Sequence, residues 1–116
     1  MEPKLYPALR FRDADAAKRW LVDAFGFEEH EIVRDAAGGI VHAELRLGDD
    51  MVMLGPGDRA KTGVYIAVDD VDSAYERVQA AGADIVRELE DTDYGSREFT
   101  VRDADGYEWS VGTYRP

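Results

Sequence analysis

The side chains best suited to chemistry lie in residues 40–47, where polar and apolar residues alternate. Such alternation predicts a β-strand with His42, Glu44 and Arg46 on one face. A glutamate that is withdrawn from water can act as a general base, so we take Glu44 as the candidate catalytic residue. The candidates for supporting roles are Arg46 or Arg10 as an anion clamp and Tyr6 or Tyr65 as a proton donor.

A structural interpretation competes with this chemical one. In it, the acidic and basic side chains of the strands neutralise one another and meet no substrate. The set is evenly divided: Glu44, Glu98 and Glu108 against Arg10, Arg46 and Arg102. Equal numbers leave this surface near neutral, which favours a structural network over catalysis and argues against a simple acidic trap for a cationic ligand.

Composition and charge exclude several classes of protein. A chain of 116 residues, 45% of them hydrophobic, is long and apolar enough for a single folded domain. A net charge of −11 argues against nucleic-acid binding, which needs a basic surface. No apolar run approaches the roughly 20 residues of a membrane span, and no cysteine is present. We therefore expect a cytoplasmic protein without membrane association.

The first half of the chain predicts a βαβββ unit. Residues 5–11 alternate as a half-buried strand, and a helix follows from the N-cap Asp13 to Gly26. Further strands are predicted at 27–34, 40–47 and 51–54. The apolar face of the helix comprises Ala17, Trp20, Leu21, Ala24 and Phe25.

The second half repeats this order of elements. Residues 64–68 predict a strand and 70–82 a capped helix, and the strands that follow are predicted at 84–88, 98–102 and 107–114. Residues 11–17 align with 68–74, and Gly26 aligns with Gly82 as the helix stop. We therefore predict one domain, 1–116, made of module one (about 1–55), a linker (about 56–63) and module two (about 64–116).

A tandem βαβββ pair with the pattern strand–Asp–helix–Gly in each half resembles the vicinal oxygen chelate superfamily. Within it, the chain looks most like the glyoxalase, bleomycin-resistance and dioxygenase-like proteins. The resemblance covers nearly the whole chain: residues 6–13 through 25–27, 41–48, 64–72 through 81–83, and 94–98 through 102–114.

This resemblance implies an α+β fold in which the two modules form a curled mixed sheet with a concave cleft and helices on the outer faces. It also implies a homodimer. Core residues facing the helices would be Leu5, Leu9, Phe11, Val41, Leu45, Leu47, Val64, Ile66, Val68, Phe99, Val101, Trp109 and Val111. Ligand-binding residues facing the cleft would be Tyr6, Arg10, His42, Glu44, Arg46, Tyr65, Glu98, Thr100, Arg102, Ser110 and Tyr114.

The metal ligands that the resemblance implies are mostly replaced here. Tyr6, Gly63 and Ser110 stand at three of the expected ligand positions, and only Glu44 matches a glyoxalase-type ligand. A zinc site needs at least three protein ligands. His42 could add one ligand beside Glu44, no third is evident, and His30 is expected at the surface. We therefore predict no metal and no other cofactor.

The sequence thus favours binding over catalysis. The expected function is binding of a small organic molecule in a cleft, without the superfamily's metal site, as in bleomycin-resistance-type proteins. The alternative is a glyoxalase-like lyase or isomerase, or a dioxygenase, in which Glu44 is the base or the sole retained metal ligand. A third interpretation is a protein-interaction module with a vestigial cleft.

Overall fold

A computed structural model describes residues 1–116, which form eight β-strands and two α-helices. The residues pack into two compact units. One unit, Tyr6–Thr62, contains most of the predicted module one and of the predicted linker, and it is called module one from here on. The other, Gly63–Arg115 together with Met1–Leu5, contains the predicted module two and the first residues of the chain, and it is called module two.

Module one holds a four-stranded mixed sheet and one helix. Its elements in chain order are β1 Lys4–Phe11, α1 Ala14–Phe25, β2 Glu28–Arg34, β3 Ile40–Leu47 and β4 Asp50–Pro56. The strands have the order β2-β3-β4-β1, in which β2–β3 and β3–β4 are antiparallel and β4–β1 is parallel. A short 3-10 helix, Arg59–Lys61, follows the sheet.

Module two repeats the arrangement. Its elements in chain order are β5 Gly63–Ala67, α2 Val71–Ala80, β6 Asp84–Asp91, β7 Arg97–Arg102 and β8 Glu108–Gly112. The strands have the order β6-β7-β8-β5, again with two antiparallel pairs followed by a parallel one, β8–β5. The predicted α+β class and the tandem βαβββ repeat are therefore confirmed.

Both helices begin at the predicted aspartates. Asp13 accepts a hydrogen bond from the amide of Ala16 at 3.0 Å, and Asp70 accepts one from the amide of Ser73 at 3.0 Å. Each bond satisfies an amide that has no partner inside its helix. Gly26 ends α1 in the left-handed region, with φ 77°, where glycine carries no steric penalty.

Each module has its own apolar core between its sheet and its helix. In module one the buried residues are Ala14, Ile40, Ala43, Leu45 and Leu54, with Leu9, Phe11, Leu21, Phe27, Ile32 and Val52 packed against them. In module two they are Val71, Phe99 and Val111, with Ile66, Val68, Ala74, Tyr75, Val78, Leu89 and Val101 packed against them.

Several residues predicted as core are exposed. Leu5 and Leu47 lie near strand ends, and Val41 lies where β3 slips in register against β2, so that Ile40 is buried in its place. The slip interrupts the alternation on which the prediction for Val41 rested.

Three aromatic side chains are less buried than their patterns indicate. Trp20 and Phe25 belong to the predicted apolar face of α1, yet they are 60% and 57% exposed and pack edge to face on each other. Trp109 was placed under a helix, but it is only partly buried and donates from its indole nitrogen to Asp103 at 2.9 Å. Helical periodicity does not reveal how much of a stripe the sheet can cover.

Candidate functional site

The strands β2 and β3 of module one bring four potential proton-transfer or metal-binding side chains together. Glu44 is 1% exposed, and its Oε2 lies 2.7 Å from Nε2 of His42. Its Oε1 lies 3.8 Å from Nε2 of His30. One ligand atom each from Glu31, His42 and Glu44 lies within 4.8 Å of the others. We call these four residues the hairpin cluster.

A β-bulge explains why two adjacent residues of β2 both reach Glu44. The pairing of β2 with β3 slips between Glu29 and Glu31, so that His30 is the extra residue and Glu31 stands opposite Glu44. In a regular strand His30 and Glu31 would point to opposite faces, whereas a bulge re-aims them. His30 is exposed, as predicted, but its contact with Glu44 and the nearby position of Glu31 could not be predicted, because a period-2 pattern carries no signal of a bulge.

The predicted anion clamps of module one are exposed. Arg46 lies on the outer part of β3, opposite Glu28. The guanidinium of Arg10 lies over Gly55, where a Cβ would meet Nη1 at 2.7 Å. Tyr6 is partly buried in β1. The geometry therefore brings His42 to Glu44 directly, and leaves the two arginines accessible to solvent.

Module two holds a second buried glutamate with different partners. Glu98 is 5% exposed, and its Oε1 accepts from Arg87 Nη2 at 3.0 Å and from the Tyr94 hydroxyl at 2.8 Å. Gly112 stands opposite Glu98 on β8, where a Cβ would come within 2.6 Å of Glu98 Cγ. Because residue 112 has no Cβ, the side chain of Glu98 can occupy the space above it. We call Glu98, Arg87 and Tyr94 the Glu98 cluster.

The hydroxyl groups around Glu98 stay protonated. Burial raises the pKa of Tyr65, and the negative charge of Glu98 raises it further. Burial also raises the pKa of Tyr94, together with the hydrogen bond to Glu98. Tyr65 donates to the backbone carbonyl of Tyr114 at 2.5 Å. Both phenols therefore act as hydrogen-bond donors at neutral pH.

The remaining predicted residues of module two form short polar contacts. The hydroxyl oxygens of Thr100 and Ser110 lie 2.9 Å apart, and Arg87 Nε donates to Thr100 at 3.3 Å. Arg102 donates to Glu108 at 3.2 Å. The predicted Glu–Arg network is thus seen for Arg102 and Glu108. Glu98 pairs with Arg87 instead, an arginine that sequence analysis left out of the site.

Module two also has an open groove that none of the predicted ligand-binding residues lines. Its volume is about 550 Å³, and it lies beside the first turn of α2. Its lining includes Asp69, whose carboxylate already pairs with the N-terminal ammonium group and with Arg115. The carboxylate of Asp70, a second lining residue, caps α2 by accepting from the amide of Ser73. Both lining carboxylates therefore have structural partners, and we place the candidate chemistry at the two glutamate clusters.

The sequence comparisons identify the family. A model of the glyoxalase/bleomycin resistance protein/dioxygenase superfamily matches residues 5–111. An uncharacterized protein of Mycobacterium bovis is 34% identical over 97% of this chain and 84% of its own length. An uncharacterized protein of Mycobacterium tuberculosis is also 34% identical, over 97% of this chain and 75% of its own length. The chain belongs to the glyoxalase/bleomycin resistance protein/dioxygenase superfamily.

Solved structures agree with this assignment. A superfamily member from Vibrio splendidus 12B01 is 26% identical with a TM-score of 0.78, and the match covers 96% of this chain and 98% of that one. Methylmalonyl-CoA epimerase from Mycobacterium tuberculosis is 19% identical with a TM-score of 0.74, covering 96% of this chain and 87% of that one. At 19% identity, the similarity to the epimerase is evidence of a shared fold only.

The metal positions that the superfamily resemblance implies do not fit a metal here. Gly63 offers no side chain, and a Cβ at this position would lie 2.3 Å from the carbonyl oxygen of Glu108. No ligand side chain can therefore stand at residue 63 without moving the backbone. Ser110 shares its hydroxyl with Thr100, and Tyr6 offers only a phenol. Neither α1, with 12 residues, nor α2, with 10, could span a lipid bilayer.

Proposed function

We propose that the protein binds a small organic molecule with a planar aromatic group, and that the exposed ring of Tyr94 in module two holds it. One observation carries this proposal. The Tyr94 ring is 61% exposed, yet its hydroxyl is anchored on the buried Glu98 at 2.8 Å. Its edge also meets the ring of Tyr114, with centroids 6.4 Å apart. A fixed aromatic ring loses little entropy when a ligand stacks on it.

The charge around this ring favours a neutral or cationic ligand. Arg87 is already neutralised by Glu98 and Glu90, at 3.0 and 3.4 Å. Burial is the strongest influence on the pKa of Arg87 and lowers it, but the hydrogen bond and charge of Glu98, together with Tyr94 and Glu90, raise the pKa above its usual value, so Arg87 stays cationic. The whole chain carries a net charge of −11, which attracts cations at long range. A cationic group could also rest on the Tyr94 face.

Membership of the superfamily supports this proposal, since the family name includes bleomycin-resistance proteins. The substitutions Tyr6, Gly63 and Ser110 at the implied metal positions support binding without that metal. A cationic glycopeptide of the bleomycin type carries both planar heteroaromatic rings and positive charge, and is therefore a suitable first probe.

The proposal is tested by ligand titration of Tyr94 variants. We expect a bleomycin-type glycopeptide, or a member of a panel of planar heteroaromatic cations, to raise the melting temperature of the protein. A ligand at 100 times its Kd stabilises the folded state by about 2.7 kcal/mol. Tyr94→Ala removes the stacking surface and should weaken binding by about 1 kcal/mol or more. Tyr94→Phe keeps the ring and should lose less.

Tyr107 provides the matched control. It is a tyrosine of the same module, in the loop between β7 and β8, and is 64% exposed. Tyr107→Ala should leave the affinity of the ligand unchanged. Equal losses in Tyr94→Ala and Tyr107→Ala, or no binding by any member of the panel, would contradict the proposal.

A second candidate function is proton transfer at a carbon next to a carbonyl group, carried out by His42 and Glu44. The observation that favours it is their 2.7 Å contact, in which a buried carboxylate orients an imidazole that is 31% exposed. A partly exposed imidazole held by a carboxylate can accept a proton from a bound substrate.

This candidate predicts solvent-deuterium exchange into carbon acids. Incubation of the protein with a panel of α-acidic thioesters and ketones in D2O, followed by NMR, should show exchange that Glu44→Gln slows by about 100-fold or more. Glu28→Gln, an exposed change on β2, should leave the rate unchanged. Exchange that is equally fast with Glu44→Gln would exclude Glu44 as a participant.

A further inference from the structure

The hairpin cluster of module one contains four side chains that can bind a metal ion. We infer that His30, Glu31, His42 and Glu44 form a binding site for one divalent transition-metal ion of the Zn²⁺ type, contained within module one. Of the metal positions that the superfamily resemblance implies, this site uses Glu44 and none of Tyr6, Gly63 and Ser110. It does not involve the Tyr94 ring of module two, so the aromatic-ligand proposal and this one can fail separately. It shares His42 and Glu44 with the proton-transfer candidate, and metal titration distinguishes the two because it needs no turnover.

The distances allow one ion to contact the cluster. Ligand atoms of Glu31, His42 and Glu44 all lie within 4.8 Å of one another, and Nε2 of His30 lies 3.8 Å from Oε1 of Glu44. Around a tetrahedral zinc ion, ligand atoms are about 3.4 Å apart, given metal–ligand bonds of about 2.0–2.1 Å. The separations among Glu31, His42 and Glu44 are at most 4.8 Å, so the side chains must draw together around an ion to reach this spacing.

The bulge in β2 explains how four donors come together. It turns His30 and Glu31 together toward Glu44, although they are adjacent in sequence. A regular strand would present only one of them. Bulges are common in edge strands such as β2 and also next to active sites, where they re-aim a side chain. Here the bulge raises the donor set from three residues to four.

The donor chemistry selects the kind of ion. Two imidazoles and two carboxylates suit Zn²⁺ and its neighbours, whereas Ca²⁺ and Mg²⁺ prefer sets made of oxygen. Electrostatics favour a cation as well. Glu44 is 1% exposed and lies close to a second carboxylate, Glu31, and a divalent ion would neutralise both.

The buried glutamate of module two shows the contrast. Glu98 is held by the guanidinium of Arg87, a permanent charge that cannot act as a metal ligand. Glu44 is held by the imidazole of His42, and an imidazole can act as a metal ligand. The same fold unit therefore offers a neutralised carboxylate in module two and a set of metal donors in module one.

The test is direct metal titration of the full chain after dialysis against a chelator. Calorimetry with ZnCl2 should show saturable binding of one ion per chain, and CoCl2 should give the d–d absorption of a tetrahedral N/O site. His42→Gln and Glu31→Gln each remove a partly or fully exposed ligand, so neither should prevent folding. Each should weaken Zn²⁺ binding by at least about 10-fold.

Glu28→Gln is the matched control, because Glu28 is exposed on the same strand and the change removes the same charge as Glu31→Gln. It should leave Zn²⁺ affinity unchanged. Circular dichroism of every variant confirms that the fold is retained. Absence of saturable binding, or equal affinity in His42→Gln and the unmodified protein, would overturn the inference. Equal weakening by Glu28→Gln would mean that surface charge alone attracts the ion.

Discussion

Glu44 and Glu98 occupy matching places in the two modules. Each comes directly before the fully buried apolar residue of a central strand, Leu45 in β3 and Phe99 in β7. Burial of a carboxylate is costly unless it is paired and hydrogen-bonded. Module two meets that cost with Arg87, a fixed charge, and module one meets part of it with His42. The chemistry available at each site therefore depends more on the side chain paired with the glutamate, Arg87 or His42, than on the glutamate itself.

Gly63 supports a prediction at the same scale. It stands opposite Glu108 in the parallel pair β5–β8, where a Cβ would lie 2.3 Å from a backbone oxygen. Gly63→Ala must therefore push the strands apart, and we expect a loss of about 1–3 kcal/mol in the free energy of unfolding. Urea denaturation followed by circular dichroism measures this loss.

Gly39→Ala is the control for that measurement. The nearest atom to a Cβ at residue 39 is a side-chain oxygen of Asp35 at 3.4 Å, an ordinary contact. This change should alter the free energy of unfolding by less than about 1 kcal/mol. Equal stability of the two alanine variants would mean that β5 accommodates a side chain at residue 63. The argument against a metal ligand at that position would then fail.

At the scale of elements, local signals were enough to predict both helices and most strands. The Asp13 and Asp70 caps act on amides three residues away, and Gly26 acts on the turn it ends. Helix caps depend on residues a few positions away in the chain, so they can be predicted from the sequence alone. Strand alternation likewise predicted the buried Leu45 and the shared face of His42 and Glu44.

The features that the sequence did not reveal depend on pairing between strands. The slip between Glu29 and Glu31 brought His30 and Glu31 into the hairpin cluster, and a second slip exposed Val41. A bulge is defined by two strands together, and one strand read alone shows only a period of two.

The partners of Glu98 were missed for a related reason. Arg87 lies on β6, which runs beyond the predicted end at residue 88 as far as Asp91. Tyr94 lies in the turn that follows this strand and reaches back to Glu98. Their positions depend on the register of β6 against β7, which shifts twice along its length. The residue types of one strand do not determine its register against another strand, so these contacts could not be predicted from the sequence.

At the scale of the whole molecule, we propose that the chain forms a homodimer, as its superfamily resemblance implies. The chain mass is 13.0 kDa, so light scattering coupled to size exclusion should give about twice that value at micromolar concentration. The net charge of −11 makes two copies repel each other in dilute salt. The dimer fraction should therefore rise as salt shortens the Debye length from about 30 Å to about 8 Å. A single species at the chain mass under all salt conditions would contradict the proposal.

The repetition of one unit has a consequence for how such a chain can change over generations. Because both modules carry a buried glutamate at the same place, a substitution that alters the partners of one leaves the other intact. The arginine-paired copy can preserve a stable scaffold while the histidine-paired copy acquires or loses an activity. Internal duplication thus supplies a spare position for chemical novelty within one polypeptide.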